Sequence, residues 1–353
     1  MSSGPSQSSS SRGAFSGETI IVPDERHGVE LDEFLCLWYS GVPKGFLRGL
    51  IREGRVLVDG VGAKTSKRLR AGQVLMVEVD EDELPRRPVA PHFQLDIIHE
   101  DADLLVVNKP AGIAVEPERW AHDLPSLAGA LLALAEERQA ADATGKTALR
   151  FRLAHRIDKD TSGCVLVAKD LDAERNLRMA FQERGVFKQY LALVEGEHPL
   201  EDDEEELIDA PIGPDPRKSG RMVASGGGKS SRTRIKVAER FRGFTLLECF
   251  PETGRTHQIR VHLAQAGFPL AVDLLYGRRD VLNLSEIKSG YRSKPGRPER
   301  PLMPRLTLHA QVLGVPDPEG GEGERVRVEA PLPKDFSTTL KQLRKVRPRT
   351  NRQ

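Results

Sequence analysis

From Leu153 to Asp170 the chain reads LAHRIDKDTSGCVLVAKD, and five of the six residues between His155 and Asp160 are ionisable. An apolar strand pattern follows at once. A surface turn needs only one or two polar residues and a glycine, so the excess of charge asks for a use. Residues two apart in extended geometry share a side. Arg156 and Asp158 then project together, as do Asp158 and Asp160. One use is structural, an ion pair with Asp160, Thr161 and Ser162 capping the turn. The other is chemical, because a carboxylate held by arginine stays ionised and can act as nucleophile or base.

Two other strings bear on the choice. KQYLALVEG sets Tyr190 within a strand, as a core filler or as an aromatic platform. GRTHQIRVHLAQAG opens on a glycine turn and continues as an amphipathic helix carrying Arg255, His257, Arg260 and His262. Five residues separate the two histidines, which does not bring both to one helical face, so no metal site is expected. Arg260 on the inner side needs a carboxylate partner, and Asp158 is the candidate. No glycine-rich phosphate loop or metal-ligand cluster stands out.

These strings need a scaffold, and the 353 residues allow one large core or two smaller ones. With 38% apolar and 30% charged residues the composition is that of a soluble globular protein. Cys36, Cys164 and Cys249 form no C-x-x-C pair, which argues against a disulfide framework and fits a reducing cytoplasm. Residues 1–17 are Ser/Gly-rich without an apolar core segment, so a disordered tail is expected rather than a secretory signal. No apolar run approaches the length of a membrane span.

Residues 18–80 form the first expected unit. VELDEFLCLWYS has helical spacing at Leu31, Phe34, Leu35 and Trp38, and Phe46, Leu47, Leu50 and Ile51 suggest a second helix closing at Gly54. RVLVDG and QVLMVEV alternate as strands. Lys44, Arg48, Arg52 and Arg55 recur at helical spacing, and within 44–70 only Glu53 and Asp59 oppose the cations. That face is either solvated or phosphate-binding. An acidic, Pro-rich linker follows over 81–92.

The large second domain is expected over 93–338, with a basic tail over 339–353. FQLDIIHEDADLLVVNKPAG reads as a hairpin ending in a tight bend at Lys109–Gly112, and LPSLAGALLALAEERQA as a helix. Further strands are expected at Cys164–Ala168, Lys188–Glu195, Thr233–Glu239, Phe244–Phe250 and Arg305–Ala310, with helices at Ala173–Arg184 and His257–Ala266. Strands dominate without regular strand–helix–strand repeats, which favours an α+β fold with a mixed, mainly antiparallel sheet. EDDEEELIDAP reads as a solvated acidic loop and RKSGRMVASGGGKSSRT as a mobile basic hairpin loop. NLSEIKSGYRSKPGRPERP reads as a basic insertion. Together the basic segments favour a nucleic acid partner.

The first unit, through its helix pair, FLRGLIREGRVLVDG and LRAGQVLMVEV, resembles an S4 domain, a small RNA-binding module that often precedes an RNA-modifying domain. HRIDKDTSGCVLVAKD, KQYLALVEG and GRTHQIRVHLA, in this order, resemble the RluA-type pseudouridine synthases. DLLVVNKPAG and RLTLHA are similar to that family's flanking strands. The likeness runs from about Phe93 to Phe336. It implies that Asp158 is the catalytic aspartate, that Tyr190 stacks on the target base, that Arg260 salt-bridges the aspartate and that Arg156 helps displace the uridine. Where the family usually has H-P-I/L-x-G-D-x-x-Y-G this chain reads FPLAVDLLYG, keeping Asp273, Tyr276 and Gly277.

The chemistry implied suits the residues. The bond between ribose and uracil N1 breaks, the base turns, and C5 takes its place. There is no redox change and no net hydrolysis. The nucleotide must leave the helical stack to be reached. Tyr190 can then offer a stacking face worth roughly 1–3 kcal/mol, while Asp158 adds to the sugar or removes a ribose proton. The implied partner is RNA, large-subunit ribosomal RNA first and transfer RNA second, with no metal, cofactor or membrane, and a cytoplasmic monomer is expected. Two rival readings stand: a nucleoside or glycoside hydrolase using Asp158 and Asp160, and an S4-type RNA-binding protein with an inactive second domain.

Overall fold

Alternating apolar residues at Ile20, Val56, Val58, Leu75 and Val77 bury one side of the strands in the first part of the chain, and two short helices pack into the same core. The computed structural model describes residues 17–118, 121, 123–142, 149–292, 296–316 and 324–349. The expected tail over 1–17 lies, apart from Gly17, outside the described residues. The chain forms two compact units, one of residues up to Pro88 with Leu134–Leu149, the other of Val89–Ala133 and the chain from Arg150 onward.

In the first unit β1 (Glu18–Ile21), α1 (Leu31–Trp38), α2 (Lys44–Arg52), β2 (Val56–Val58), β3 (Val61–Gly62) and β4 (Val74–Val77) follow in order. The four strands form an antiparallel sheet in the order β1-β4-β2-β3. Asp59 and Gly60 both take positive φ between β2 and β3, as a tight two-residue hairpin turn requires. Leu31, Leu35, Leu47, Val56, Leu75 and Val77 are fully buried in one cluster. Strand β1 was not foreseen. It is an edge strand with only Ile20 buried, too little alternation to signal itself.

The second unit begins with β5 (Ile97–Glu100) and β6 (Leu104–Lys109), the expected hairpin. Next come α3 (Leu127–Ala141), whose residues from Leu134 on belong to the first unit, then β7 (Arg152–Leu153), β8 (Ser162–Ala168), α4 (Leu171–Gln182), β9 (Phe187–Glu195) and β10 (Glu205–Asp209). β11 (Ile212–Pro214), β12 (Met222–Ala224), β13 (Arg232–Phe241), β14 (Phe244–Pro251), α5 (Gln258–Gln265) and α6 (Leu284–Ile287) lead to β15 (Leu308–Pro316), β16 (Glu324–Glu329) and α7 (Lys334–Val346). Ten strands make one sheet with a main path β10-β13-β14-β9-β15-β8-β6-β5. Every pairing in it is antiparallel except β15 with β8. The fold is therefore α+β on a mixed, mainly antiparallel sheet.

Four expectations need correction. Glu205–Asp209 is not a loop but an edge strand on β13, with Glu205 paired to Arg234, and Asp203 just before the strand paired to Lys236. The basic hairpin loop contains β12, which pairs with β11. The strand expected at Arg305–Ala310 begins at Leu308 and runs on to Pro316. Residues 339–346 are no tail, because they complete α7, whose Phe336, Leu340 and Leu343 line one helical face and are buried. Charge hid that face. Residues 350–353 lie outside the described residues. The three cysteines are buried and form no disulfide, and no described helix is long and apolar enough to cross a membrane.

Candidate active site

The sheet is two runs of strands that meet over a short seam. β8 and β15 pair only at Ser162–His309 and Gly163–Ala310, after which β16 takes over the β15 edge. The seam forces a glycine. Gly163 has φ +114, and a Cβ there would stand 2.1 Å from the Ala310 carbonyl oxygen. The seam is also tied by side chains. Ser162 Oγ lies 2.9 Å from His309 Nδ1 and accepts from Arg305 Nη1, while Arg305 forks onto Asp335. Burial pushes the His309 pKa down to about 4. The charged string His155–Asp160 is the loop that enters this seam, so its position follows from where β8 must start.

Asp158 projects from that loop with 23% of its side chain exposed. Arg260, from the first turn of α5, donates from Nη1 to Asp158 Oδ2 at 3.0 Å. The same guanidinium donates from Nε and Nη2 to the two oxygens of Asp273, both at 2.8 Å. Burial opposes the charge on Arg260, yet the bonds and charge of Asp273, with Asp158 behind them, outweigh it and raise its pKa further. Asp273 is wholly buried. The result is an arginine fixed on three sides, presenting one nitrogen to a carboxylate that solvent can still reach.

Tyr190 comes from the middle of β9, between Cys249 of β14 and Ala310 of β15. Burial raises the pKa of its phenol, and the negative charge of Asp158 raises it further, so the two groups are electrostatic neighbours. Lys109, at the end of β6, is 1% exposed and donates from Nζ to the carbonyls of Pro110, Ile113 and Lys159 at 2.8, 2.8 and 2.9 Å. These three acceptors match the three donors of an ammonium. Burial lowers its pKa to about 7, and the charges of Asp160 and Asp158 offset part of that shift. Through Lys159 O the lysine staples the 109–113 bend to the loop carrying Asp158. The Gly112 N–H, bonded to the same carbonyl at 2.9 Å, adds a second staple.

The structure thus brings Asp158, Tyr190 and Arg260 together. Arg156 shares the loop but points elsewhere. Its side chain is 75% exposed and Nη1 lies 3.7 Å from Glu116. His262 is not near a metal-binding partner set. It is buried between Thr233 Oγ1 and the Ala210 carbonyl. Among the described residues no three His, Cys, Asp or Glu side chains gather as metal ligands. The family departures fill space, with Val272 buried in the core and Phe268 packed on His198 at a ring-centroid distance of 4.3 Å.

In the first unit, the cationic face is less free than its spacing implied. Lys44 pairs with Asp32 and Glu33, Arg48 with Asp32, and Arg55 with Glu83. Of the four cations only Arg52 has no ion-pair partner among the described residues. Reading 44–70 alone missed the acidic residues of α1.

Asp273 and Lys109 were also not given roles from the sequence. Asp273 carried a local signal, an aspartate three residues before Tyr-Gly, whose Oδ1 accepts the N–H groups of Leu275 and Tyr276. Nothing local announced that Lys109 would be buried.

The family model described as RNA pseudouridylate synthase matches residues 103–265. The uncharacterised RNA pseudouridine synthase YlyB of Bacillus subtilis is 36% identical over 327 residues, 92% of this chain and 98% of that protein. The ribosomal large subunit pseudouridine synthase D of Nitrosomonas europaea is 36% identical over 341 residues, covering 95% and 91%. Synthase C of Escherichia coli is 36% identical over 343 residues, covering 93% and 97%. Among solved structures, human RNA pseudouridylate synthase domain containing 4 superposes with a TM-score of 0.51 and 26% identity over 70% of this chain and 93% of its own.

Proposed function

The chain belongs to the RNA pseudouridylate synthase family, of the RluA type, and from that premise we propose that it isomerises uridines of large-subunit ribosomal RNA with Asp158 as the reacting carboxylate. It is an isomerase that converts uridine to pseudouridine in RNA. The ribosomal target is supported by the names of the D and C relatives, which match over nearly their whole length.

One observation carries the assignment of Asp158. Its Oδ2 receives the single Arg260 nitrogen that Asp273 leaves free, beside the Tyr190 ring and at the mouth of the seam. In the reaction the displaced uridine stacks on Tyr190. Asp158 acts on the sugar as the C1′–N1 bond breaks. The uracil turns, C5 bonds to C1′, and the proton leaving C5 is balanced by the one gained at N1. Arg260 holds Asp158 as a carboxylate oriented toward the ribose. Arg156, exposed on the same loop, meets the strand from which the uridine has been withdrawn. The first unit acts as an S4-like RNA-binding module, with Arg52 its least committed cation on α2.

The test is to map pseudouridines in cellular RNA with and without the gene. Positions in large-subunit ribosomal RNA that lose the modification support the reading. Losses confined to transfer RNA would replace the substrate, and free uracil released from RNA would replace isomerisation by hydrolysis.

A further inference from the structure

Asp273-Leu274-Leu275-Tyr276-Gly277 forms one tight turn. The Gly277 N–H donates to the Asp273 carbonyl at 3.0 Å, and a Cβ on Gly277 would meet that oxygen at 2.7 Å. The turn delivers two side chains to Arg260. One is the Asp273 carboxylate. The other is the Tyr276 ring, whose centroid lies 5.1 Å from Arg260 Cζ. A second guanidinium, that of Arg221, stands 5.4 Å from the same centroid.

The Tyr276 hydroxyl joins two further groups. Its oxygen accepts the backbone N–H of Met222, in β12, at 2.8 Å and lies 2.9 Å from His257 Nδ1. One arrangement satisfies all three: Met222 donates to Tyr276, Tyr276 donates its proton to His257 Nδ1, and His257 carries its own proton on Nε2. Burial favours this arrangement, because it raises the pKa of the phenol and lowers that of the imidazole. Tyr276 therefore touches Arg260, the residue that caps the start of α5, and the β11–β12 hairpin at once.

That hairpin is cationic at its surface. Arg217, Lys218 and Lys229 are exposed. Arg221 Nε is buried without a hydrogen-bond partner among the described residues, its nearest carboxylate, Asp215, standing 3.8 Å away. The Arg221 side chain is nonetheless 37% exposed, and a guanidinium that reaches solvent beside exposed lysines suits a backbone phosphate.

We propose that Tyr276 is a positioning residue for the isomerisation, a latch that ties the phosphate-binding β11–β12 hairpin to the Arg260–Asp158 pair. RNA held by Arg221 and its neighbours then bears on the reacting carboxylate through the Tyr276 ring and hydroxyl. The inference rests on the assignment of Asp158 above.

The decisive variant is Tyr276→Phe, which keeps the ring on Arg260 and removes only the latch hydroxyl. Turnover is read as tritium released from a target RNA labelled at uracil C5. We expect kcat/KM to fall about tenfold, mostly through KM. Tyr276→Leu, which also removes the aromatic face, should lower kcat as well. Arg221→Gln should raise KM, and Arg221→Gln/Tyr276→Phe should be no worse than the stronger single variant within about twofold, since both break one connection. Wild-type constants in Tyr276→Phe overturn the latch, as do effects that multiply in the double variant. Equal losses of kcat and KM in Tyr276→Phe and Tyr276→Leu, with a matching fall in Tm, would make Tyr276 merely structural. Asp158→Asn is run alongside. If it stays active, the assignment beneath the latch fails, and the latch with it. If it is inactive while Tyr276→Phe is unchanged, only the latch fails.

Discussion

Asp273 grips Arg260 along two parallel hydrogen bonds of 2.8 Å, leaving Nη1 for Asp158. A bidentate fork fixes the plane of a guanidinium as well as its charge. The carboxylate proposed to react is thus positioned by an arginine that is itself positioned by a second, fully buried carboxylate. Two negative charges share one cation, but only Asp158 keeps access to solvent.

Asp158→Asn should abolish tritium release from uracil C5 while leaving the fold and RNA affinity close to wild type. The amide nearly matches the carboxylate in shape but cannot act as nucleophile or base. Turnover within tenfold of wild type would remove Asp158 from the mechanism.

Arg260→Ala should cost both activity and stability, because it strands Asp273 in the core. Loss of one partner from a buried pair costs about 3–5 kcal/mol. Arg260→Lys restores the charge but not the fork, so it should recover stability in part and activity little. Asp273→Asn should lower turnover with Asp158 intact. Thermal melts and single-turnover rates on all three variants test this, and a wild-type Tm with wild-type rates in Arg260→Ala would dissolve the proposed pairing.

Lys109 gives a pH dependence of definite sign. Its pKa falls from an ordinary 10.5 to about 7 in the folded chain. Between those values the unfolded state binds the extra proton, so stability from this group rises with pH and its penalty is full below about 7. Wild type should therefore gain on Lys109→Met as pH increases from 7 to 9, by about 1.4 kcal/mol per unit at most. Paired denaturant titrations across that range measure it. A flat difference would mean the three carbonyls hold the ammonium throughout.

The first unit yields a contrast between two sets of cations. Arg52, Lys64 and Arg70 are exposed, whereas Lys44 and Arg48 neutralise the buried Asp32. Changing Arg52, Lys64 and Arg70 to Gln should reduce the slope of log affinity against log salt by about 0.7–0.9 for each phosphate that is no longer neutralised. Changing Lys44 and Arg48 to Gln should lower Tm instead. Equal salt slopes in wild type and the first variant would leave that face merely solvated.

Local pattern was enough to read much of this molecule. Period-two alternation marked β13, whose side chains are sorted between faces, whereas β6, β8, β9 and β14 read as strands through short apolar runs that are buried on both faces. Helical spacing marked α1, α2, α4 and α5, although α5, expected to be amphipathic, is buried at every position from Gln258 to Leu263. The crowding of charge before β8 drew attention to the loop that carries Asp158 and Asp160, since a strand this apolar gives its preceding loop no reason to carry five ionisable residues, and the family likeness then singled out Asp158. The pairing of Asp158 with Arg260 was inferred as chemical need, an inner arginine requiring a carboxylate.

Other features had no local signature. Edge strands such as β1 and β10 bury too little to alternate cleanly, and the apolar face of α7 was masked by the charges between its buried positions. Lys109 looked like a turn residue until folding set three carbonyls around its nitrogen. Lys44 and Arg48 looked like free cations until α1 brought Asp32 to them. Asp273 and Tyr276 stand 13 and 16 residues beyond Arg260, too far for any periodicity to link them. Their convergence depends on the return of the chain from α5 to the seam. Sequence could name the ionisable groups and their elements, but which charge meets which was decided by packing, because ion pairs form across elements whose register only the closed core sets.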